Sequence, residues 1–283
     1  MKKYSILFLL AIITVAGITK MRSSQQQEAM ATNDTEQEQT STTTQDTDEN
    51  VSIYPPKGIE IPHYNIERGG RTIEHIGYTV SYDADFKTPQ WVAWQLTKEE
   101  AYGTEARYNK FQPDPDVKGA KAYTTDYTNS GYDRGHMAPA ADMKWSHQTM
   151  VESFYMTNVC PQNRNLNRGD WKDLEELERS WAIKYGCVSI AAGPIYYKGH
   201  TPQRIGGNKV AVPDAFFKVL LVGYPKNPKA YGFVFENKAG NHPLTYYQLT
   251  VDEVEKRTGM DFFSALPDEV ENKIETKKPA LQT

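Results

Sequence analysis

A chain of 283 residues, 39% hydrophobic and 24% charged, is long enough for one large domain or two small ones. Two cysteines are too few for a disulfide scaffold. The first fifty residues hold four basic and seven acidic side chains, which leaves -1 of the total charge of -4 for the remainder. A nearly neutral folded part offers no global attraction to a polyanion, so any nucleic-acid binding must come from a local patch or a metal.

In chain order, residues 1–21 carry a basic pair followed by an apolar run from about Tyr4 to Ile18. That layout predicts an export signal, cleaved or kept as a membrane tether, with the domain periplasmic, secreted or tethered outside the cytoplasm. Residues 22–50 are Gln, Ser, Thr, Asp and Glu with almost no large apolar side chain, the composition of a disordered polar linker. The folded domain is expected over 51–274, with a polar tail at 275–283.

Within the domain, "HIGYTVSYDAD" and "PQWVAWQLT" alternate around a turn-rich segment and predict a β-hairpin. "SHQTMVESF" reads as a short helix, and "YMTNVCPQ" as a strand that stops before Pro161. One continuous helix is expected over "NRGDWKDLEELERSWAIKYG", with Trp171, Leu174, Leu177, Trp181 and Ile183 inward and Gly186 as its stop. Strands follow in "CVSIAAGPIYY", "AFFKVLLVG" and "AYGFVFE". Thr250 and Glu253 form a capping box for a last helix that ends on Gly259. Strands and helices without regular βαβ alternation predict an α+β fold on a mainly antiparallel sheet flanked by helices. Cys160 and Cys187 read as buried free thiols, a single bridge being the alternative in an oxidising compartment.

The segment "YDRGHMAPAADMKWS" sets Asp133, Arg134 and His136 around Gly135, which is expected to let the chain turn sharply. Downstream, Asn167 and Glu175 stand eight residues apart. On one helix at about 100° per residue they point within roughly 80° of each other and can face one cavity. Upstream, Arg107 precedes a Pro-rich loop. Taken singly, each has an ordinary reading: His136 as a turn histidine, Asn167 as a helix cap and Glu175 as part of a solvated face. Arg107 could pair with Glu105 or Asp114, and Arg134 with a neighbouring acid. Together they suit phosphodiester cleavage. A neutral histidine can take a proton from water. A hard divalent ion needs only one or two oxygen ligands from the protein, and a carboxylate can hold its waters. An arginine can donate two parallel hydrogen bonds to phosphate oxygens.

"DRGH", followed by "TNVCPQ" and "LNRGDWKDLE", resembles the DNA/RNA non-specific endonuclease family, the endonuclease G-like branch of the ββα-metal or His-Me finger nucleases. The likeness extends over roughly Tyr54 to Val270 with the motifs in family order. It implies a ββα-metal active-site motif and hydrolysis of DNA and RNA that leaves 5′-phosphate ends. His136 would be the general base, and Asn167 the sole protein ligand of Mg²⁺, with Mn²⁺ as a substitute. Glu175 would hold the metal's waters. Arg107 and Arg134 match groups that contact the substrate, Asn158 has a supporting place beside the site, and Asp133 is assigned a structural role. Family relatives are often homodimers, although no interface is marked in this sequence. The alternatives are a catalytically silent nucleic-acid-binding module on the same fold and a phosphodiesterase for small esters.

Overall fold

The structure, a computed structural model, describes residues 55–64 and 69–281. Its strands are β1 His63–Tyr64, β2 Arg71–Glu74, β3 Thr79–Asp83, β4 Thr88–Thr97, β5 Asp133–His136, β6 Val159–Gln162 and β7 Cys187–Ile195. They continue with β8 Arg204–Ile205, β9 Val210–Ala211, β10 Ala215–Val222, β11 Lys229–Glu236, β12 Gln248–Leu249 and β13 Met260–Asp261. The α-helices are α1 Lys98–Ala101, α2 His147–Ser153, α3 Arg164–Arg168, α4 Asp170–Tyr185, α5 Leu244–Tyr247, α6 Val251–Thr258 and α7 Asp268–Glu275.

Seven strands form one antiparallel sheet in the order β12-β11-β10-β7-β4-β3-β2. The expected β3–β4 hairpin is present. Its turn begins with Asp83 Oδ1 accepting from the amides of Asp85 and Phe86, both at 2.9 Å. The central strands β7 and β10 are buried along their whole length, so both faces of the sheet must be covered. Alternation divides their side chains. Val92, Trp94, Val188, Ile190, Phe216 and Leu220 join the core on one face, and Trp91, Ala93, Ala191, Phe217 and Val219 the core on the other.

The long helix α4 seals the first face with Trp171, Leu174, Leu177 and Trp181. The Trp171 ring lies 5.7 Å from Phe216 and 5.6 Å from Phe235, which fixes the helix to β10 and β11. The other face is covered by Val251 and Val254 of α6 and Ile274 of α7. The predicted capping box of α6 is formed, and Gly259 ends it in the left-handed conformation. The result is the expected α+β arrangement, a large antiparallel sheet flanked by helices.

Four local expectations need correction. "DRGH" is not a turn but the strand β5, paired with β6 through Gly135↔Cys160 and His136↔Val159. The second strand passes through Pro161 to Gln162; a two-stranded ribbon tolerates proline because one edge of each strand needs no partner. The long helix is two helices broken at Gly169, so Asn167 lies near the end of α3 rather than at the start of α4. Ile183 is 36% exposed and faces away from the core. Beyond α7, Gln248 Nε2 donates to Pro279 O at 2.7 Å and Leu281 packs on the core. Both cysteines are buried free thiols.

Candidate active site

Strands β5 and β6 with helix α3 form a ββα unit, and it carries most of the residues singled out in the sequence. His136 ends β5. Its ring lies between Phe111 and Phe154, with centroids at 5.1 and 5.0 Å, and the residue is 9% exposed. Nε2 is buried and has no hydrogen-bond partner among the described residues. Burial, and then the charge of Arg107, hold its pKa down to about 3, so the imidazole is neutral.

The chain after His136 is clamped by Asn158, which is fully buried. Its Oδ1 accepts from Ala138 N at 2.9 Å, while Nδ2 donates to Ala138 O at 2.8 Å and to Ser153 O at 2.9 Å. Every polar group of this amide is used inside the fold, so Asn158 holds the loop and leaves nothing free for a ligand.

Asn167 sits in α3, a five-residue helix capped by Asn163, whose Oδ1 accepts from Asn165 N at 3.0 Å and Leu166 N at 3.4 Å. Asn167 Nδ2 donates to Asp133 Oδ2 at 3.1 Å, and its Oδ1 takes no hydrogen bond among the described residues. Asp133 also accepts from Arg168 at 2.8 and 3.2 Å and pairs with Arg164 at 3.4 Å. Burial alone would raise the Asp133 carboxyl, but the bonds from Arg168 and Asn167 and the two arginine charges keep it below its ordinary value.

Glu175 projects from α4 into the same cavity of ≈ 290 Å³ that His136, Asn167, Arg107 and Arg134 line. The broken helix therefore still brings Asn167 and Glu175 together, although by the kink at Gly169 rather than by one continuous helical face. Burial pushes the Glu175 carboxyl up to about 7, against the opposing charges of Lys218 and Arg179 and with the help of Asp142. Arg107 is exposed and lies over the Phe154 ring at 5.0 Å, with Nε donating to Asn109 Oδ1 at 2.9 Å. It pairs with neither expected acid: Glu105 takes His147 at 2.8 Å, and Asp114 takes His75 at 3.0 Å and Thr157 at 2.6 Å. Arg134 stands between the Phe111 and Tyr127 rings at 5.7 and 5.6 Å and donates to Thr124 O at 2.7 Å.

Sequence reasoning missed three cations on the cavity wall, Arg168, Lys172 and Arg179. Lys172, Glu175 and Arg179 are spaced by three and four, which places them on one face of α4 and was a usable signal. With Arg107 and Arg134 the cavity lining has five cations and one carboxylate. Asp133, Glu176 and Asp142 pair with Arg168, Lys172 and Arg179, which leaves Arg107 and Arg134 as the lining cations without an acidic partner among the described residues. An amide oxygen free of hydrogen bonds and a carboxylate in one cavity are hard donors, the kind that a small oxygen-preferring divalent ion uses.

Comparison with known proteins accords with this geometry. A model of the DNA/RNA non-specific endonuclease family matches residues 56–269. The chain is 36% identical over 215 residues to the mitochondrial nuclease EXOG of Danio rerio, covering 71% of this chain and 63% of that protein. It is 37% identical over 210 residues to the mitochondrial Nuclease 1 of Schizosaccharomyces pombe, covering 68% and 65%. The chain thus spans a little under two thirds of the length of both relatives. A solved structure described as the EndoG/EndoGI complex aligns with a TM-score of 0.65 at 30% identity, covering 70% of this chain and 87% of that one. The two relatives are named as mitochondrial proteins, which overturns the exported localisation expected from residues 1–21. That apolar segment, read above as an export signal or tether, lies outside the described residues, and no described helix is long and apolar enough to cross a membrane. From the matched family model and these identities over most of the chain, it belongs to the DNA/RNA non-specific endonuclease family.

Proposed function

We propose that this chain is an Mg²⁺-dependent endonuclease that hydrolyses phosphodiester bonds of DNA and RNA with little sequence preference and leaves 5′-phosphate ends. The observation that carries the reading is the neutral His136, its Nε2 unpartnered, beside the Asn167 amide oxygen and Glu175 in one cationic cavity. His136 takes the proton of a water whose oxygen forms the new bond to phosphorus as the bond to the 3′ oxygen breaks. A bound phosphodiester brings negative charge next to the ring and raises its proton affinity at the step where the proton is taken. Arg107 and Arg134, which also face the cavity, hold the non-bridging oxygens and offset charge as it grows.

Asn167 Oδ1 would hold the metal directly, and Glu175 would accept hydrogen bonds from its waters. When bound, Mg²⁺ supplies stabilisation of negative charge on phosphate oxygens and on the departing oxygen. Its fit to this chain rests on the free amide oxygen and the nearby carboxylate, both hard oxygen donors. Low sequence preference follows from a cavity that addresses phosphate, since phosphate contacts carry no base information.

The test is cleavage of plasmid DNA and of RNA by the full-length protein with Mg²⁺, with EDTA, and in the His136→Ala variant. Cutting of both polymers should be abolished by EDTA and reduced about 10²- to 10⁴-fold by the substitution. Intact polymers with folded wild type and Mg²⁺ would favour a silent nucleic-acid-binding module.

A further inference from the structure

A second concentration of carboxylates lies away from the nuclease cavity, where α6 meets α7. Asp252 and Glu255 are three residues apart on α6 and so share one face. Glu275 is the last residue of α7. One carboxylate oxygen from each of the three lies within 4.8 Å of the others. Two oxygens on one Ca²⁺, each held at about 2.3–2.6 Å, stand at most about 5 Å apart. The spread of the three donors therefore suits a single ion between them.

The second observation is independent of that spacing. Glu275 is only 5% exposed, and its Oε1 is buried with no hydrogen-bond donor among the described residues. A buried carboxylate oxygen in a native fold is ordinarily satisfied by a donor or a cation. The neighbouring charges that act most strongly on Glu275 are all negative: Glu255, Glu271, Asp252 and Asp261. Burial first, and then these carboxylates, push it up to about 9. No described Lys, Arg or His pairs with Asp252, Glu255 or Glu275 within salt-bridge distance.

We propose that Asp252, Glu255 and Glu275 form a site for a hard divalent cation of Ca²⁺ size, separate from the nuclease cavity, that ties α7 to α6. The donor set is oxygen only, which excludes a preference for a thiophilic ion, and water completes the coordination. The site's role is structural. Val251, Val254 and Ile274 from the same two helices cover one face of the sheet, whereas α4 and the nuclease cavity lie on the other. Holding α7 in place keeps that second core sealed. Cleavage chemistry is untouched by the bridge, so the proposal stands or falls separately from the nuclease reading.

The test is Ca²⁺ titration of EDTA-stripped, full-length protein by calorimetry, with Tm followed in parallel. Wild type, Asn167→Ala and Glu275→Gln are compared. The Asn167→Ala variant, altered only in the nuclease cavity, should still bind one Ca²⁺ and gain Tm from it. Glu275→Gln should weaken that binding at least roughly tenfold, because affinity follows the ligand charge count. If Glu275→Gln fails to fold, Glu255→Gln carries the same comparison. Absence of Ca²⁺ uptake in Asn167→Ala, or uptake unaltered by loss of the carboxylate, would overturn the proposal.

Discussion

Asn167 donates through Nδ2 to Asp133 Oδ2 at 3.1 Å, and so one side chain of the "DRGH" strand orients the side chain expected to hold the metal. An amide has one acceptor and one donor end, and committing the donor to Asp133 presents the oxygen to the cavity. Asp133→Ala should therefore lower Mg²⁺ affinity about 10- to 100-fold. It should leave more activity at saturating Mg²⁺ than Asn167→Ala does. A Mg²⁺ titration of plasmid cleavage checks this, and an unchanged Mg²⁺ midpoint would refute it.

Glu175 sets a pH dependence. Its carboxyl stands at about 7 in the fold against an ordinary 4.5, so it is largely protonated below neutrality and cannot then hold metal waters. Cleavage at limiting Mg²⁺ should rise as pH passes through about 7, and Glu175→Gln should flatten that rise. His136, held near 3, contributes nothing to it. The stability effect has the opposite sign. For a raised carboxyl, the stabilising contribution is complete below the unfolded value and disappears as pH climbs through the folded one. Metal-free wild type should thus lose Tm relative to Glu175→Gln between about pH 4.5 and 7. A pH series of melts on both proteins, showing parallel curves, would contradict this.

Gly135 can be tested by stability alone. A Cβ there would lie 2.6 Å from Gln162 Cβ and closer still to Gln162 Oε1, and the Gln162 side chain is itself fully buried. Gly135→Ala should cost about 1–3 kcal/mol by overpacking, read from urea denaturation. Truncation of the obstructing side chain in Gly135→Ala with Gln162→Ala should recover part of the loss. A single variant with the wild-type midpoint would show that the close approach is not tight.

Lys218 is fully buried in β10, with Nζ 3.0 Å from Glu178 Oε2 and 4.6 Å from the Trp171 ring centroid. It joins the sheet to the helix that carries Glu175. Lys218→Met should destabilise by about 3–5 kcal/mol by leaving the Glu178 carboxylate buried without its partner. The double variant with Glu178→Leu should cost clearly less. Equal losses in the single and double variants would argue against a coupled pair.

The pairing of Lys218 with Glu178 shows where reading the sequence stops. In "AFFKVLLV" the lysine interrupts an apolar run without any local cue to its partner, which is 40 residues earlier in the chain. "DRGH" likewise offers turn-like residues, and only its pairing with β6 makes it extended. The break at Gly169 follows from local sequence in principle, since glycine is a poor helix former. Apolar spacing on both sides of it nevertheless suggests one helix. By contrast, the β3–β4 hairpin, the buried face of α4 and the box-and-glycine limits of α6 rest on short-range periodicity and capping, and these were legible.

Side-chain alternation, helical spacing and caps act over a few residues, which is why the hairpin, the inward face of α4 and the ends of α6 were legible in the sequence by itself, together with the residue types available for chemistry. His136, Asn167, Glu175, Arg107 and Arg134 could be named from it together with a family resemblance. Only the tertiary structure decided that Asp133 turns the Asn167 amide and that Asn158 is consumed inside the fold. It also decided that burial lowers His136 while raising Glu175. Each of these depends on distance and desolvation between segments far apart in the chain, quantities that exist only once the sheet and its covering helices have closed.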